Sequence, residues 1–248
     1  MSDFVTGHYG PRAKDYVSSQ THAVGEDLER LVALLREETP SVALDLGCGG
    51  GHVSYAMAPF CGQVVAYDPT LSMALAVRNE AERRGLTRIR PVGGFAESLP
   101  FAEGIFDVVA SRFSAHHWRD LQEGLNEARR VLRQGGLGIF IDTVAPEAPM
   151  ADSVLQAIET LRDPSHMRNY RVSEWRRSLE SAGFALEGYQ PLRLKLDFAS
   201  WVARTRTPAL HQQAILSLQR ATDAGTRQHF AVEADGSFTL DTALFTVR

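Results

Sequence analysis

Short apolar runs alternate with longer amphipathic stretches through the middle of the chain. Five runs are rich in β-branched residues and are predicted strands: 41–47, 63–68, 87–93, 105–113 and 136–144. Between them, two stretches place apolar residues at helical spacing. Strands that are apolar on both faces and alternate with helices are typical of a parallel sheet covered by helices. The pattern therefore predicts an α/β fold.

Glycines mark the ends of the two amphipathic helices, which are predicted over 71–85 and 119–136. Gly85 follows the first and Gly135 the second, and glycine is the favoured residue just after a helix. The apolar stripe of the second helix consists of Leu121, Leu125, Ala128 and Leu132. Arginines in its last turn complement the helix dipole. We therefore expect this helix to end at Gly135.

The regular alternation of strands and helices stops after the fifth strand, where a long connection with several prolines covers 145–170. The elements expected from there on are helices over 151–162, 172–184 (with Ser173 as its N-cap) and 199–230, and strands over 185–198 and 237–248. The two late strands are separated by more than 30 residues, which is too many for a tight hairpin. Both long connections are interpreted as helical insertions that form a lid over one sheet edge.

Composition excludes several classes of protein. The formal net charge of −4 argues against an electrostatic grip on nucleic acid. Cys48 and Cys61 are too few for a disulfide framework or for a zinc site by themselves, so no metal is expected. No apolar stretch approaches the ~20 residues that span a bilayer, and the first residues lack the pattern of a signal peptide. We therefore expect a cytoplasmic protein without a membrane span.

The chain turns tightly where the first strand ends. The segment "LDLGCGGGHVSYAMA" (44–58) holds four glycines within five positions, and such a strand–turn–helix exposes backbone N–H groups to a ligand. A nicotinamide or flavin fingerprint would need glycine at His52 or Ser54, and a phosphate loop would need Gly-Lys-Ser/Thr. Neither fits. The pattern that does fit is D-x-G-x-G-x-G, from Asp45 to Gly51.

Four ordered motifs over roughly residues 40–145 are similar to those of a known family. They are "VALDLGCGGGHVS", "VVAYDPTLSMA", "GGFAESLPFAEGIFDVVASRFSAHHW" and "EARRVLRQGGLGIFID". Together they resemble class I S-adenosylmethionine-dependent methyltransferases, in the menaquinone/ubiquinone C-methyltransferase-like (type 11) branch. The resemblance implies a Rossmann-like, seven-stranded, mostly parallel sheet in the order 3-2-1-4-5-7-6, with helices on both faces.

The same resemblance predicts the organisation of the chain and its cofactor. We expect one methyltransferase domain over 1–248, with a helical N-terminal cap (1–40), a cofactor-binding core (41–144) and lid insertions (145–171 and 199–232). The implied cofactor is S-adenosyl-L-methionine, which leaves S-adenosyl-L-homocysteine as product. This ligand has no phosphate, so the absence of a lysine from the glycine loop agrees with it.

Two acidic residues are expected to contact the cofactor. Asp68 ends the second strand, where an ionised carboxylate can accept hydrogen bonds from the ribose diol. Asp45 supplies negative charge for the cationic ammonium and sulfonium. Each has an alternative role, since Asp68 could cap the next helix and Asp45 could order the loop. The resemblance also places Gly47, Cys48, Gly49 and Gly51 at the cofactor, with Pro69 and Met73 at its adenine or ribose or, alternatively, in the core.

The segment "GGFAES" departs from the family at one position. The family often has an acidic residue where this chain has Phe95, so Phe95 is interpreted as packing on the adenine ring. The backbone of Ala96, with Glu97 nearby, is expected to recognise the edge of the adenine. Ser111 and Arg112, at the end of the fourth strand, would offer backbone carbonyls to the methionine ammonium.

The acceptor is expected at the carboxyl edge of the sheet, where open α/β sheets bind ligands. Methyl transfer from a sulfonium needs proximity and exclusion of water, and it needs a base only when the acceptor carries a proton of high pKa. His116 and His117 lie at this edge. One of them is predicted to orient the substrate or take its proton. Alternatively, one caps the next helix and the other packs beside Trp118.

Two other regions supply candidate side chains. The N-terminal segment resembles one that folds over the cofactor, so Tyr9, Tyr16 and His22 are candidates to close the methionine end, unless they lie on an ordinary surface helix. In the predicted lid, the side chains suited to a planar or anionic molecule are His166, Arg168, Asn169, Tyr170, Arg204 and Arg206. Solvated helix faces would explain the lid arginines equally well.

The leading hypothesis is a small-molecule methyltransferase, with a phenolic or quinone-like acceptor suggested by the branch or an anionic one suggested by the predicted lid. A cofactor-binding protein without turnover remains an alternative, and an NAD-dependent oxidoreductase is a weaker one. The acceptor atom (carbon, oxygen or nitrogen) and the oligomeric state, monomer or homodimer, stay open.

Overall fold

A computed structural model describes residues 25–248. Its seven strands are β1 (Val42–Leu46), β2 (Gln63–Asp68), β3 (Ile89–Gly93), β4 (Phe106–Arg112), β5 (Leu132–Thr143), β6 (Leu186–Leu196) and β7 (Phe238–Val247). They form one sheet in the order β3-β2-β1-β4-β5-β7-β6. The pairings from β3 to β5 are parallel, whereas β7 is antiparallel to both β5 and β6. The expected strand order and mostly parallel sheet are confirmed.

Helices lie on both faces of this sheet. They are α1 (Glu26–Glu38), α2 (His52–Met57), α3 (Leu71–Arg83), α4 (Leu121–Val131), α5 (Pro149–Arg162), α6 (Val172–Ser181), α7 (Phe198–Arg204), α8 (Ala209–Ala221) and α9 (Ala224–His229), with a 3₁₀ turn at Ala115–His117. Each helix predicted between residues 71 and 230 is present, and the stretch predicted as helical over 199–230 contains three. Most of the predicted N-terminal cap lies outside the described residues. In residues 25–248 no helix is long and apolar enough to cross a membrane.

The central strands are buried on both faces because their side chains alternate between two clusters. In β1, Ala43 packs with Leu31 of α1 and Val53 of α2, whereas its neighbour Leu44 packs with Leu125 of α4 and other residues on the α4 and α6 side. Successive side chains of a strand point to opposite faces. The apolar runs of the sequence therefore correspond to strands covered by helices on both sides.

A third cluster, here called the late-helix cluster, lies beyond the carboxyl ends of the parallel strands. It joins Ile158 of α5 and Trp201 of α7 to Leu196, which ends β6, and to Phe238 and Leu240, which begin β7. The residues that follow β5 and β6 thus build a wall on the edge where the ligand is expected.

The predicted end of α4 is wrong. The helix ends at Val131, and the chain enters β5 at Leu132, which pairs with Phe106 of β4. Gly135 does have a positive φ of 69°, but it lies inside the range of β5 and not after a helix. Strand pairing with β4 therefore outweighs the helical pattern of this stretch.

The predicted cap of α6 is also wrong. The helix begins at Val172 with Arg171 as N-cap, and Glu174 accepts a hydrogen bond from the Arg171 backbone N–H at 2.8 Å. Ser173 lies in the first turn, where its hydroxyl donates to Glu147 at 3.0 Å. The hydroxyl that was expected to cap the helix is thus hydrogen-bonded to a carboxylate distant in sequence.

Candidate active site

The glycine loop after β1 needs glycine for different reasons at different positions. Gly47, Gly49 and Gly51 have φ values of 79°, 46° and 82°, in the left-handed region that favours glycine. A Cβ at Gly47 would overlap Ser114 Oγ, and a Cβ at Gly51 would lie 2.7 Å from the Tyr55 hydroxyl. A Cβ at Gly49 would meet nothing within 4 Å. The loop is therefore packed at its two ends and open in its middle.

Asp68 ties β2 to the middle of this loop. One carboxylate oxygen accepts from the Gly49 N–H at 3.0 Å, and the other accepts from the Thr70 N–H at 2.9 Å. Burial raises the pKa of Asp68, although these two hydrogen bonds act in the opposite direction. The N-cap of α3 is Thr70, so Asp68 is not the cap. The carboxylate orders the loop and lines the cavity beside it.

Asp45 joins β1 to the start of α2. It is 1% exposed, and its carboxylate accepts a hydrogen bond from the Ser54 hydroxyl at 2.5 Å. Burial raises its pKa to about 7, with the Ser54 hydrogen bonds and the Arg112 charge lowering it and the Asp68 charge adding to the rise. A cation bound nearby would favour the ionised form.

A cavity of about 190 Å³ runs along the carboxyl edge of the sheet. The predicted cofactor residues that line it are Asp45, Gly47, Cys48, Gly49, Asp68, Pro69, Met73, Phe95, Ala96, Glu97 and Arg112. Two predicted contacts do not line it: Gly51 packs against Tyr55, and Ser111 pairs with Phe140 inside the sheet. Tyr9, Tyr16 and His22 lie outside the described residues.

One end of the cavity is built around Phe95. The Arg119 guanidinium carbon lies 4.2 Å from the centroid of the Phe95 ring, and Arg119 itself lines the cavity. The Glu97 carboxylate accepts the backbone N–H of Arg119 at 2.7 Å. Arg119 was not predicted, because nothing in its spacing along the sequence distinguishes it from a surface arginine. Phe95 and Arg119 together offer a flat surface to an adenine.

Arg112 contributes its side chain to the wall of the cavity. Its guanidinium forms a two-point ion pair with Asp27 of α1, at 2.5 and 3.1 Å. Both residues are buried. Arg112 was predicted to contribute its backbone carbonyl, and its ion pair with Asp27 was not predicted, because the partners are 85 residues apart.

The two predicted catalytic histidines both line the cavity. His116 Nδ1 lies 2.5 Å from the carboxylate of Asp142. Burial lowers the pKa of His116, but the charge and hydrogen bond of Asp142, together with the charges of Glu159 and Asp163, raise it, and the net shift is upward. His117 Nδ1 contacts the Ser165 carbonyl at 3.2 Å. Burial, and then the neighbouring His116, lower the pKa of His117 to about 3.

The predicted lid residues divide into two groups. Asn169 and Arg204 line the cavity, whereas His166, Arg168 and Tyr170 do not. His166 is buried with Nε2 3.1 Å from Gln156 Oε1. Arg168 pairs with Asp152 and Glu174, at 3.1 and 3.3 Å. The ring of Tyr170 packs against the α4 and α6 side of the core. Arg206 does not line the cavity either.

The far end of the cavity is lined by residues that were not predicted from the sequence. They are Glu159, Arg162, Leu194, Leu196, Trp201 and Leu240. Arg162 pairs with Glu159 at 3.3 Å, and its guanidinium carbon lies 5.0 Å from the centroid of a Trp201 ring. The helix that carries Arg162 was predicted, but a sequence pattern does not tell which of its polar residues faces a cavity. Among residues 25–248, no group of three or more His, Cys, Asp or Glu could hold a metal ion.

These features fit S-adenosylmethionine. The space above Gly49 admits a ligand against the backbone, the buried carboxylates of Asp45 and Asp68 suit its cationic and ribose groups, and Met73 and Phe95 suit its adenine. The sheet order and this site together define a class I S-adenosylmethionine-dependent methyltransferase, with S-adenosylmethionine as its cofactor.

Comparison with known proteins agrees with this class. A methyltransferase domain family model matches residues 44–140. The protein YafE of Escherichia coli (strain K12) is 42% identical over 195 residues, which cover 79% of this chain and 94% of YafE. The uncharacterized methyltransferase YcgJ of Bacillus subtilis (strain 168) is 32% identical over 216 residues, which cover 87% of this chain and 85% of YcgJ. The chain belongs to this methyltransferase family.

Two further comparisons extend the likeness to structure and to named activities. The crystal structure of YcgJ superimposes with a TM-score of 0.85 at 30% identity, over 89% of this chain and 97% of YcgJ. A demethylmenaquinone methyltransferase of Chlorobaculum parvum is 35% identical over 115 residues, which cover 46% of this chain and 45% of that protein.

Proposed function

We propose that the protein transfers the methyl group of S-adenosylmethionine to a small-molecule acceptor of phenolic or quinone-like character. The observation that carries the proposal is one cavity that extends from the glycine loop, past His116 and His117, to the apolar wall of Leu194 and Trp201. A flat, apolar acceptor fits such a wall. The similarity to a demethylmenaquinone methyltransferase supports the same class of acceptor.

Asn169 is the residue of this wall that is best placed to recognise a polar group. Its backbone is fixed by Gln156, which accepts its N–H at 3.0 Å and donates to its carbonyl at 2.8 Å. Its side-chain Nδ2 is buried and has no hydrogen-bond partner among the described residues. A buried amide without a partner is costly. We infer that Asn169 binds an oxygen of the acceptor.

The chain supplies binding and alignment in this proposal. Adenosylmethionine, when bound, provides a methyl group that is already activated by a cationic sulfur. Asp68 and the N–H groups of the loop would hold its nucleoside end, and Asp45 would favour its positive charge. The helical insertions would act as a lid that excludes water from the acceptor. The cytoplasmic location and the absence of nucleic-acid binding stay predictions.

The test is a labelling experiment. The wild-type protein is incubated with methyl-labelled S-adenosylmethionine and the small-molecule extract of a deletion strain, and labelled species are sought one methyl mass above their precursors. The matched control is Asp68→Ala, which removes the ribose contact and should weaken cofactor binding by about 1–3 kcal/mol, or roughly 5- to 150-fold. Label that appears only in protein or nucleic acid would contradict the proposal.

A further inference from the structure

Asp142 holds the ring of His116 from the end of β5. It is 2% exposed, and its carboxylate faces three N–H groups. One oxygen accepts from the Thr143 N–H at 2.8 Å and lies 2.5 Å from His116 Nδ1, and the other accepts from the His116 backbone N–H at 3.3 Å. A carboxylate can only accept here, so His116 Nδ1 carries a hydrogen. The proton that His116 gains or loses is therefore on Nε2.

Nε2 is the ring nitrogen of His116 that is available to a ligand. It makes no hydrogen bond to a described residue, and His116 lines the cavity. The backbone of His116 is fixed from the opposite side, because its carbonyl accepts the N–H groups of Met167 and Arg168 at 2.9 and 3.2 Å. The ring and main chain are thus both held in place before an acceptor binds.

The neighbouring histidines are set up differently. His117 faces the Ser165 carbonyl, which can only accept, so the hydrogen of its neutral ring is on Nδ1. Burial and the charge of His116 lower the pKa of both His117 and His166 to about 3. Their ring centroids lie 4.2 and 5.7 Å from that of His116. Both are therefore neutral near pH 7, and neither is a strong base.

Three carboxylates raise the pKa of His116. Burial disfavours its protonated form, whereas Asp142, Glu159 and Asp163 favour it. On the other side of the cluster, Arg162 acts on His166 and lowers its pKa. The net result is an upward shift for His116 alone. A general base works best when its pKa lies near the working pH.

We propose that His116 is the general base that takes the proton of the methyl acceptor and that Asp142 is the residue that positions it. This inference rests on the proposed function. The O–H proton of the acceptor passes to His116 Nε2, and the freed electron pair of the oxygen, or of the ring carbon conjugated to it, forms the bond to the methyl carbon. The electron pair of the broken carbon–sulfur bond stays on sulfur. The acceptor is therefore a weak O–H acid, such as a phenol or an enol.

The first test uses a readout that does not depend on turnover. The protein is labelled with ¹⁵N-histidine, saturated with S-adenosylhomocysteine, and titrated by NMR. We expect His116 to titrate above the ordinary value of about 6.5 with its hydrogen on Nδ1. Asp142→Asn should lower its midpoint by about one pH unit or more, because the amide lacks the negative charge that favours the protonated ring and supplies one acceptor oxygen for three N–H groups.

His117→Gln is the matched control for this titration, because it removes a neighbour of His116 that is neutral. The midpoint of His116 should stay above 6.5 in this variant. A midpoint of His116 at or below the ordinary value in the wild-type protein would overturn the inference. So would a midpoint that does not move in Asp142→Asn. If Asp142→Asn does not fold, the wild-type titration and the position of the ring hydrogen decide the matter.

The second test uses the acceptor found by labelling. We expect kcat to fall on the acid side with the midpoint of His116, and Asp142→Asn to move that fall to lower pH without changing the affinity for S-adenosylhomocysteine. His116→Gln should reduce kcat by about 10²- to 10⁴-fold. Wild-type turnover by His116→Gln would refute the inference and leave the proposed function intact. A search that labels no small molecule would refute the proposed function, whereas the NMR titration would still judge the state of His116.

Discussion

At the scale of single residues, Gly49 and Gly85 form a matched pair. Both have a positive φ, 46° and 71°, and at both a Cβ would meet nothing within 4 Å. An alanine at either position therefore costs about 1–2 kcal/mol of left-handed strain and no overlap. Gly49 lines the cavity, whereas Gly85 follows α3.

We predict that Gly49→Ala and Gly85→Ala lose similar stability in urea, and that only Gly49→Ala binds S-adenosylhomocysteine more weakly, by about ten-fold or more as measured by calorimetry. The reason is that the new methyl group occupies the space where the cofactor approaches the loop. Equal affinities of the two variants would show that the cofactor does not use this space.

Asp45 makes stability depend on pH. Burial raises its pKa from 3.8 to about 7, so the folded protein keeps a proton that the unfolded chain releases between these values. The free energy of unfolding must therefore fall as pH rises through this window. The Asp45→Asn variant can still accept a hydrogen bond from Ser54. We predict that its free energy of unfolding falls less steeply with rising pH than that of the wild type, by up to about 1.4 kcal/mol per pH unit.

Urea unfolding of both proteins at about pH 5 and about pH 7.5 measures this difference. Asp68 also has a raised pKa and is present in both proteins, so the comparison reports on the Asp45 carboxyl together with its interaction with Asp68. A difference in stability between wild type and Asp45→Asn that is the same at both pH values would show that Asp45 does not titrate in this range.

At the scale of elements, one buried ion pair fastens α1 to the end of β4. Asp27 and Arg112 are both buried, with side chains 11% and 4% exposed. Removing one partner of a buried ion pair is strongly destabilising and costs about 3–5 kcal/mol. We therefore predict that Asp27→Asn lowers the free energy of unfolding by this amount in urea.

The control for Asp27→Asn is Glu26→Gln, in the same first turn of α1. Glu26 pairs with Arg30, and both side chains are exposed, 61% and 43%. Solvent-exposed pairs contribute about 1 kcal/mol or less. Similar small losses in the two variants would show that α1 is held to the sheet by its apolar residues alone.

Helices, strands and turns could be predicted from the sequence where neighbouring residues alone determine them. The five strands of the core and the glycine loop follow from apolar runs, their spacing and left-handed turns, which are properties of neighbouring residues. The end of α4 was not predictable in this way, because Leu132 pairs with Phe106 of β4 and does not continue the helix. The cap of α6 was not predictable either, because the Ser173 hydroxyl donates a hydrogen bond to Glu147, which lies 26 residues earlier.

At the scale of the whole molecule, the late-helix cluster shares strands with the main sheet. Leu240 of β7 packs with Trp201, and Phe245 of the same strand packs with Trp175 on the α4 and α6 side. Because one strand contributes to both cores, we propose that the described part of the chain unfolds as a single domain.

We predict one cooperative transition. In a Trp118→Phe/Trp175→Phe variant, fluorescence reports on Trp201 alone, among the late helices. Its urea midpoint should coincide with that of the far-UV circular dichroism of the same variant. Two separate midpoints would show that the late helices are an independent unit.

The sequence by itself determined the succession of helices and strands along the chain, the glycine loop and the positions of the two acidic residues beside it. Each of these depends on neighbours along the chain. Only the tertiary structure decided which side chains of the acceptor side pair with one another and which face the cavity. Asp142 meets His116 across 26 residues, and Asp27 meets Arg112 across 85. Arg168 and Asn169 are adjacent, yet only Asn169 lines the cavity. Side-chain direction in a connecting loop depends on what packs around it, which no local pattern specifies.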